Sequence, residues 1–445
     1  MAELVKIPLT NLVNWSVRFL LESTFNYNPD FELVSIDSLL KKNNKRIKVD
    51  NNGLYKRITV KVRNNGVELR DEIKGELIGT KNQFQVKSGQ FILSKIDARN
   101  GSFGIIPKVL DGAIVTNDFP TYDINENLVN PAFFLLITTT KEFIKFAQSC
   151  SVGTTNRQRI DLDMFLMQQI PLPSLSEQNH IVSQYNQKIQ LAQKQEQEAE
   201  NLENEIEEYL MERLDLKKLD VKENVKGLQL ISFKNIDRWD ILAKDMRILN
   251  GLTTSRFPLK KIGDVFSFAK RSWNKKKYNK ETFRYIELGA IDTIEGITEI
   301  KEILTNKAPS RATQQVVEGD LLIGTTRPYL KRFVIIDHRY DGDICSSGFT
   351  VLEPNQHTEL AFLKEFLMSY YGLEQLKNRM TGATYPAITT SELKEILVPF
   401  PPRFVQIEIA SEIKKMRGKI KDLQDKAKQN RDEALLNFEQ EIFTA

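Results

Sequence analysis

The residues Ile170–Pro173 read IPLP, and 228 positions later Val398–Pro401 read VPFP. A glutamine follows each run, Gln178 after the first and Gln406 after the second, and a long stretch with helical spacing comes next. Repetition at a fixed spacing is the sign of an internal duplication. The chain is therefore predicted to contain two copies of one domain, each ending in a long helix.

The duplication extends upstream of these runs through both halves of the chain. The matched positions are Trp15 with Trp239, Phe31 with Phe257, Gly66 with Gly296, Gly89 with Gly319, Asp111 with Asp341, Gly153 with Gly382, and Ile160 with Ile388. The spacing between partners drifts by only a few residues, which indicates short loop insertions. Glycines at matched turns, such as Gly89 and Gly319, are expected to serve the backbone.

Composition excludes several classes of protein. The 445 residues suggest two to three domains, and 41% are hydrophobic. We find no apolar stretch of about 18 residues and no secretory signal pattern, so we expect a cytoplasmic protein without a membrane span. Cys150 and Cys345 form no CxxC motif, and the three histidines are scattered. Disulfide scaffolds, zinc sites and histidine-based catalysis are not indicated.

Short apolar runs separated by turn signals predict a mixed α/β or α+β unit for each copy, and we take α+β as the fold class. Amphipathic helices are predicted at Pro131–Ala147 and at Leu360–Arg379. The predicted strands are Tyr55–Val62, Phe91–Ser94, Ala113–Val115, Arg284–Leu288, Leu321–Ile323 and Phe333–Ile336.

Two long helices should begin just after the proline clusters, because proline cannot sit inside a helix. Ser176 with Glu177 resembles the start of the first helix. Apolar residues at three-four spacing predict a coiled-coil seam in both helices. The seam residues are Ile181, Tyr185, Ala192, Ala199, Leu202, Ile206 and Tyr209 in the first helix, with Lys188 and Gln195 as polar interruptions, and Ile409, Ile413, Met416, Ile420, Leu423, Ala427 and Ala434 in the second.

Charge predicts the direction of pairing. Glu196 to Glu212 contains eight glutamates and no cation, whereas Lys414 to Arg431 contains eight lysines or arginines and two aspartates. The acidic block is late in its helix and the basic block is early, so antiparallel pairing brings them together. This arrangement would put the two domains at opposite ends of the helix pair. A solvated acidic face and an unpartnered basic face are the alternative.

Net charge is +4 for the whole chain. From Glu177 to Leu214 there are nine glutamates against three lysines or arginines, so the rest of the chain carries +10. Such a positive remainder is expected of a phosphate-binding protein, although solvated basic surfaces are also common.

Taken in order, the duplicated passage G-T/A-T, Ile, IP-x-P, Gln and long helix resembles the specificity subunits of type I restriction–modification systems. The stretch from Ile92 to Pro107, ILSKIDARNGSFGIIP, resembles a recurring form of their first target-recognition domain. The resemblance covers nearly the whole chain. It implies four segments: recognition domain 1 over residues 1–174, a helical spacer over 175–216, recognition domain 2 over 217–402 and a second helical spacer over 403–445.

The resemblance also implies function. Each domain would read one half of a split double-stranded DNA sequence, and the antiparallel helices would act as spacer and as docking site for two methyltransferase subunits. Those partners would bind S-adenosylmethionine and methylate adenine, and restriction/translocase subunits would join them. No cofactor or metal is expected on this chain itself. A coiled-coil assembly adaptor, or the specificity subunit of a type IIB or phage-exclusion system, is the alternative.

Catalytic motifs are missing from the sequence. A DNA methyltransferase needs a glycine-rich cofactor loop and a [D/N/S]PP[Y/F] passage, and the nearest match, Asn130-Pro-Ala-Phe-Phe, lacks the second proline. Asn130 is better explained as a helix N-cap with Pro131 at the first helical position. No GxxxxGK[ST] loop for ATP occurs either. We therefore expect a non-catalytic subunit.

Base and phosphate contacts require cations, amides or hydroxyls on loops between framework strands. Matched loops in the two copies carry different residues of these types, as expected if each copy reads a different half-site. The predicted DNA-binding residues are Lys45, Arg46, Lys95, Arg99, Asn100, Thr155 and Arg157 in the first copy, and Lys270, Arg271, Lys275, Arg327, Tyr329, Lys331, Arg332 and Tyr385 in the second.

Overall fold

A computed structural model describes residues 25–152, 158–217, 248–382 and 384–444. Contacts divide the chain into two compact units. Unit 1 consists of residues up to Gln193 together with those from Ala427, and unit 2 consists of Lys194–Lys426. Each unit thus contains one α+β domain and half of each long helix. The matched residues Trp15 and Trp239 lie outside the described residues.

Unit 1 is built from thirteen described strands. In chain order they are β1 Leu33–Ser35, β2 Leu40–Lys42, β3 Arg46–Lys48, β4 Leu54–Val60, β5 Val67–Lys74, β6 Asn82–Gln85, β7 Phe91–Leu93, β8 Phe103–Ile105, β9 Ile114–Val115, β10 Thr121–Ile124, β11 Ser151–Val152, β12 Arg159–Ile160 and β13 Gln169–Pro171. They form sheets in the orders β1-β13, β2-β10-β7-β8, β3-β6-β9-β4-β5 and β11-β12. The helices are α1 Ile36–Leu39, α2 Pro131–Thr139, α3 Lys141–Ser149, α4 Leu162–Met167 and α5 Leu175–Leu214, whose second half belongs to unit 2.

Unit 2 repeats this arrangement. Its described strands are β14 Leu259–Lys261, β15 Ser267–Phe268, β16 Thr282–Ile286, β17 Ile291–Asp292, β18 Gly296–Ile297, β19 Lys301–Leu304, β20 Ala312–Gln315, β21 Leu321–Gly324, β22 Phe333–Ile335, β23 Ile344–Ser346, β24 Phe349–Glu353 and β25 Leu397–Pro399. The sheet orders are β14-β25, β15-β24-β21-β22, β19-β16-β23-β20 and β17-β18. The helices are α6 Ile262–Val265, α7 Leu360–Met368, α8 Tyr370–Asn378, α9 Thr390–Lys394 and α10 Arg403–Ile442, whose second half belongs to unit 1.

Three sheets correspond between the units, apart from the additional edge strand β3 in unit 1, whereas β11-β12 and β17-β18 lie at unmatched positions. This correspondence confirms the predicted duplication. The order β2-β10-β7-β8 corresponds to β15-β24-β21-β22, and β6-β9-β4-β5 corresponds to β20-β23-β16-β19. A parallel pairing is also repeated, between β4 and β9 at Arg57 and Ile114 and between β16 and β23 at Tyr285 and Ile344. The two domains are therefore copies of one fold.

Matched glycines make matched turns. Gly89 and Gly319 have φ of 84° and 89°, the left-handed region in which glycine is preferred. The turns are tied at the same point, since the backbone amides of Ser88 and Glu318 donate to the Asp111 and Asp341 carboxylates at 2.7 and 2.9 Å.

The predicted amphipathic helices each divide into two, which corrects the sequence-based bounds. Thr140 separates α2 from α3, and Ser369 separates α7 from α8, both with extended backbone. The Thr140 hydroxyl accepts from the amide of Phe143 at 3.3 Å and so caps the second helix of the pair. Threonine and serine at such breaks satisfy amides that an uninterrupted helix would pair internally. Asn130 caps α2 as expected, accepting from the amide of Ala132 at 2.8 Å.

The first long helix begins one residue earlier than the predicted start at Ser176. Ser174 forms a capping box with Glu177: the Glu177 amide donates to the serine hydroxyl at 3.3 Å, and the Ser174 amide donates to the carboxylate at 2.9 Å. This reciprocal arrangement satisfies two amides at the helix N-terminus. Ser174 is therefore the N-cap of α5, and the helix continues to Leu214.

The two long helices pair antiparallel within each unit, as predicted. In unit 1 Ile181, early in α5, belongs to the same core as Phe438 and Ile442, late in α10. In unit 2 Ile206, late in α5, belongs to the same core as Ile409, early in α10. Burial of the apolar seam favours this pairing.

Ion pairs run along the seam. Arg417 contacts Glu203 at 3.2 Å, which joins the basic block to the acidic block in the predicted sense. Lys188 fills its polar position in the seam by pairing with Glu433 at 2.5 Å. Arg213 of α5 pairs with Glu408 of α10 at 2.7 Å. Here the cation is on the helix that carries the acidic block, which is the reverse of the pairing between the blocks. Charge therefore predicted the direction correctly, and apolar residues of both helices pack together along the same seam.

Candidate nucleic-acid interface

The loop that follows β7 in unit 1 is anchored by its backbone. The amide of Lys95 donates to the carbonyl of Asp118 at 2.8 Å, and the carbonyl of Lys95 accepts from the amide of Ile160 at 2.9 Å. These bonds fix the Cα of Lys95 between two neighbouring segments. Its side chain is therefore presented from a defined point of the framework.

The loop that follows β21 in unit 2 has the same anchor. The amide of Thr325 donates to the carbonyl of Gly348 at 2.9 Å, and the carbonyl of Thr325 accepts from the amide of Ile388 at 2.9 Å. Thr325 thus occupies the position that Lys95 occupies in unit 1. The framework is shared while the side chains differ.

A basic cluster surrounds the anchor in unit 1. Arg159 contacts the Asp118 carboxylate at 3.2 Å, and Lys95 is half-buried beside both residues and near Lys42. Burial lowers the pKa of the Lys95 ammonium; Asp118 opposes this, while Lys42 and Arg159 add to it. The cluster holds three cations and one carboxylate, so it has excess positive charge. Because it is partly desolvated, this charge favours binding of a negatively charged ligand.

Other predicted residues of unit 1 lie on the adjoining short helical turn. Arg99 is half-buried and its guanidinium donates to the Gln158 side chain at 3.0 Å. Asn100 is exposed and contacts Asp97 at 3.4 Å. Thr155 and Arg157 lie outside the described residues.

In unit 2 the structure brings two predicted loops together. Arg327 is exposed and its guanidinium lies over the ring of Tyr385, 5.5 Å from the centroid. The backbone supports this contact, because the amide of Arg327 donates to the carbonyl of Pro386 at 2.8 Å. Tyr385 is 72% exposed and Tyr329 is 38% exposed. The contact of the guanidinium with the ring is a cation–π interaction, which holds the exposed arginine in one place.

The same loop of unit 2 holds unusual backbone. Arg327 and Lys331 have φ of 50° and 54°, in the left-handed region that non-glycine residues rarely adopt. Lys331 and Arg332 are half-buried, and the Arg332 carbonyl accepts from the amide of Gly324 at 3.0 Å. Such conformations concentrate at functional sites.

The second pair of predicted basic loops is less uniform. Lys45, Arg46, Lys270 and Lys275 are exposed, and the Arg46 guanidinium lies 5.7 Å from the ring centroid of Phe84. Arg271 is instead committed internally, since it pairs with buried Asp320 and, at 3.0 Å, with Glu353. Its guanidinium organises the fold of unit 2, so we do not include it in the proposed interface.

Sequence reasoning missed Lys42 and Arg159. Lys42 lies 53 positions before Lys95 and is brought near it because β2 and β7 both pair with β10. Arg159 lies just beyond the predicted Thr155 and Arg157. Predicting that Lys42 lies near Lys95 would have required the pairing of β2 with β10. The three residues of β2 are too few for their apolar and polar alternation to indicate a strand.

Among the described residues, no group of three or more His, Cys, Asp and Glu side chains could hold a metal ion. Within those same ranges no helix has the length and apolar character needed to cross a membrane.

The fold and the loops define a duplicated recognition scaffold, in which one framework presents two different sets of basic and aromatic side chains. A family model described as the type I restriction modification DNA specificity domain matches residues 28–201 and again residues 255–430. The chain belongs to this family and carries two of its domains.

Individual proteins and solved structures are also similar to this chain. The specificity subunit of the type I restriction enzyme HindI from Haemophilus influenzae is 28% identical over 127 residues, which is 28% of this chain and 27% of that relative. A chain from a study of complex assembly and conformational transition in the type I R-M system matches with 17% identity and a TM-score of 0.54, over 94% of this chain and 97% of that one. The S subunit of a type I system from M. genitalium matches with 16% identity and a TM-score of 0.47, over 92% and 97%. The structure with a TM-score of 0.54 shows a shared fold.

Proposed function

We propose that this chain reads a split double-stranded DNA sequence, with one half-site for each domain. The observation that carries the proposal is the repeated anchor of Lys95 and Thr325, around which the side chains differ between the two copies. A shared framework supplies the same approach to DNA, while base contacts from the variable side chains supply the sequence. Specificity domains of this family fit that role.

The chain would act without chemistry of its own. It carries neither the cofactor loop nor the target-amine passage of a methyltransferase, so the reaction would belong to partners. We propose that two methyltransferase subunits holding S-adenosylmethionine dock on the long helices, and that restriction subunits join the same complex. The exposed charged faces of α5 and α10 offer surface for such docking.

DNA selection tests the recognition. The purified full-length chain, alone and with its methyltransferase partner, would be incubated with a library containing two randomised blocks at variable spacing. We expect enrichment of one sequence with two specified blocks and a fixed gap. Binding that is indifferent to sequence, or that disappears at moderate salt, would instead favour a coiled-coil assembly adaptor.

Methyl transfer tests the division of labour. The chain alone, supplied with radiolabelled S-adenosylmethionine and the selected DNA, should transfer no label, whereas addition of the partner should restore transfer. Robust methylation by the isolated chain would overturn the non-catalytic assignment.

A further inference from the structure

The matched loops that carry Lys95 and Arg327 share one framework but present different side chains. We propose that Lys95 is the base-reading residue of the first domain, and that in the second domain this role moves from the matched Thr325 to Arg327. This inference rests on the proposed function and assigns its specificity to individual side chains.

The first step is the equivalence of position. Lys95 and Thr325 lie 230 residues apart, and each uses its amide and its carbonyl in the same two backbone bonds. Because both Cα atoms are fixed in the same way, a difference in readout at this point must come from the side chains alone.

In the first domain the residue at this point is Lys95, whose side chain ends in a cationic ammonium group. The Lys95 ammonium lies among Lys42, Asp118 and Arg159, and the Asp118 carboxylate is already engaged by Arg159 at 3.2 Å. The cluster has more positive than negative charge, and Lys95 is half-buried in it. An ammonium in this setting can donate to an acceptor-rich partner such as the O6 and N7 atoms of guanine.

In the second domain the matched residue is Thr325, whose hydroxyl makes a hydrogen bond within the protein. The Thr325 hydroxyl donates to the carbonyl of Gly348 at 2.8 Å, beside the bond that its own amide makes there. Its donor is therefore used inside the protein. The acidic and basic partners of Lys95 are also missing, since Gly348 and Ala387 stand where unit 1 has Asp118 and Arg159.

Arg327, two residues further along, provides the replacement. It is exposed, and its guanidinium lies over Tyr385 with one terminal nitrogen 3.5 Å from the carbonyl of Thr384. Its backbone lies at φ of 50°. A left-handed arginine needs support from its surroundings, and the bond to the carbonyl of Pro386 at 2.8 Å provides it. The guanidinium fork matches guanine O6 and N7 by two parallel bonds. Each half-site should therefore contain a guanine, read by lysine in one and by arginine in the other.

Single substitutions in the full chain test this assignment by the same DNA selection. Lys95→Gln should reduce discrimination for guanine about 10- to 100-fold at one position of one half-site, and leave the other half-site unchanged. Arg327→Asn, which keeps a residue that tolerates left-handed backbone, should do the same in the other half-site. Thr325→Ala should change neither preference. Lys141→Gln, at an exposed lysine on α3, is the matched control.

The outcomes separate the two levels of proposal. If Lys95→Gln weakens binding equally at all sequences, Lys95 contacts phosphate and the assignment is overturned, while the proposed function stands. The same holds if Thr325→Ala removes a base preference. If the unaltered chain selects no split sequence, the proposed function fails and this inference fails with it. Melting curves for each variant establish that a lost preference is not lost folding.

Discussion

At the scale of single residues, Asp343 is the clearest case of a charge held at a cost. It is 7% exposed and contacts Arg284 at 3.3 Å, yet burial raises its pKa to about 6. Arg284 lowers the pKa and Asp341 raises it, but both effects are smaller than that of burial. The matched residue of unit 1 is Ala113, so the charge belongs to unit 2 alone.

Asp343 should make the stability of the chain depend on pH. A raised folded-state pKa means that the folded state binds more protons between about pH 4 and pH 6. The free energy of unfolding should therefore fall as pH rises through this window. Asp343→Asn should remove the cost and raise stability at pH 7 by up to about 2–3 kcal/mol, with little change at pH 4. Urea titrations at both pH values measure this.

Asp422→Asn, at an exposed aspartate on α10, serves as the control for the pH experiment. It should change the free energy of unfolding by a similar small amount at pH 4 and at pH 7. A destabilised Asp343→Asn variant at pH 7 would mean that the contact with Arg284 outweighs burial.

At the scale of secondary-structure elements, one buried glutamine in each copy ties a domain to its long helix. The Gln406 amide donates to the carbonyl of Pro401 at 2.8 Å and its oxygen accepts from the amide of Glu359 at 2.9 Å. Gln178 makes the matching bonds to the carbonyl of Pro173 and the amide of Asn130, at 2.8 and 2.7 Å. The glutamine repeated in the sequence therefore has a structural role.

Replacing this glutamine should destabilise its unit. Gln406→Ala leaves the buried carbonyl of Pro401 and the partly buried amide of Glu359 without this partner, so we expect a loss of about 1–3 kcal/mol. Gln440→Ala, at an exposed position of the same helix, should cost under about 0.5 kcal/mol. Denaturant unfolding compares the two, and equal effects would show that the bonds of Gln406 are not what holds the helix.

A buried charge cluster links three helices in unit 2. Arg417 of α10 contacts Glu365 of α7 at 2.7 Å and Glu203 of α5 at 3.2 Å, and Lys364 lies 3.3 Å from Glu365. Although Glu365 is buried, these cations hold its pKa below its usual value. Unit 1 has Leu136 at the position that matches Glu365, so its contact is apolar.

Breaking this cluster on one side should be costly. Arg417→Met leaves Glu365 with Lys364 alone in a buried place, and we expect a loss of about 3 kcal/mol or more. The double variant Glu365→Leu with Arg417→Met should recover most of it, because it makes unit 2 resemble unit 1. Lys419→Met, at an exposed position, is the control. A double variant as unstable as the single one would argue against electrostatic strain as the cause.

At the scale of the whole molecule, repetition made much of the fold predictable. The duplicated motifs identified two α+β domains and two long helices, and the charge blocks predicted antiparallel pairing. Local spacing could not show the breaks at Thr140 and Ser369, because the flanking apolar pattern continues through both residues. For the interface, the loops of Lys95 and Arg327 were predicted from matched positions. Lys42 and the internal engagement of Arg271 depend on strand pairing and tertiary contacts.

Charge distribution over the whole chain gives a last prediction, for DNA binding. Affinity for DNA should fall linearly on logarithmic axes as salt rises, with a slope set by the number of phosphates that cations contact. Lys42, which lies near Lys95, and Lys45 are both exposed. Replacing both with glutamine should reduce the slope by up to about 2.

Replacing Glu205, Glu208 and Glu212 with glutamine removes a similar amount of charge from α5, where no phosphate contact is lost. That variant should bind more tightly at low salt with an unchanged slope, and fluorescence anisotropy from 50 to 200 mM salt distinguishes the two. Equal slopes for all three proteins would place Lys42 and Lys45 away from the DNA.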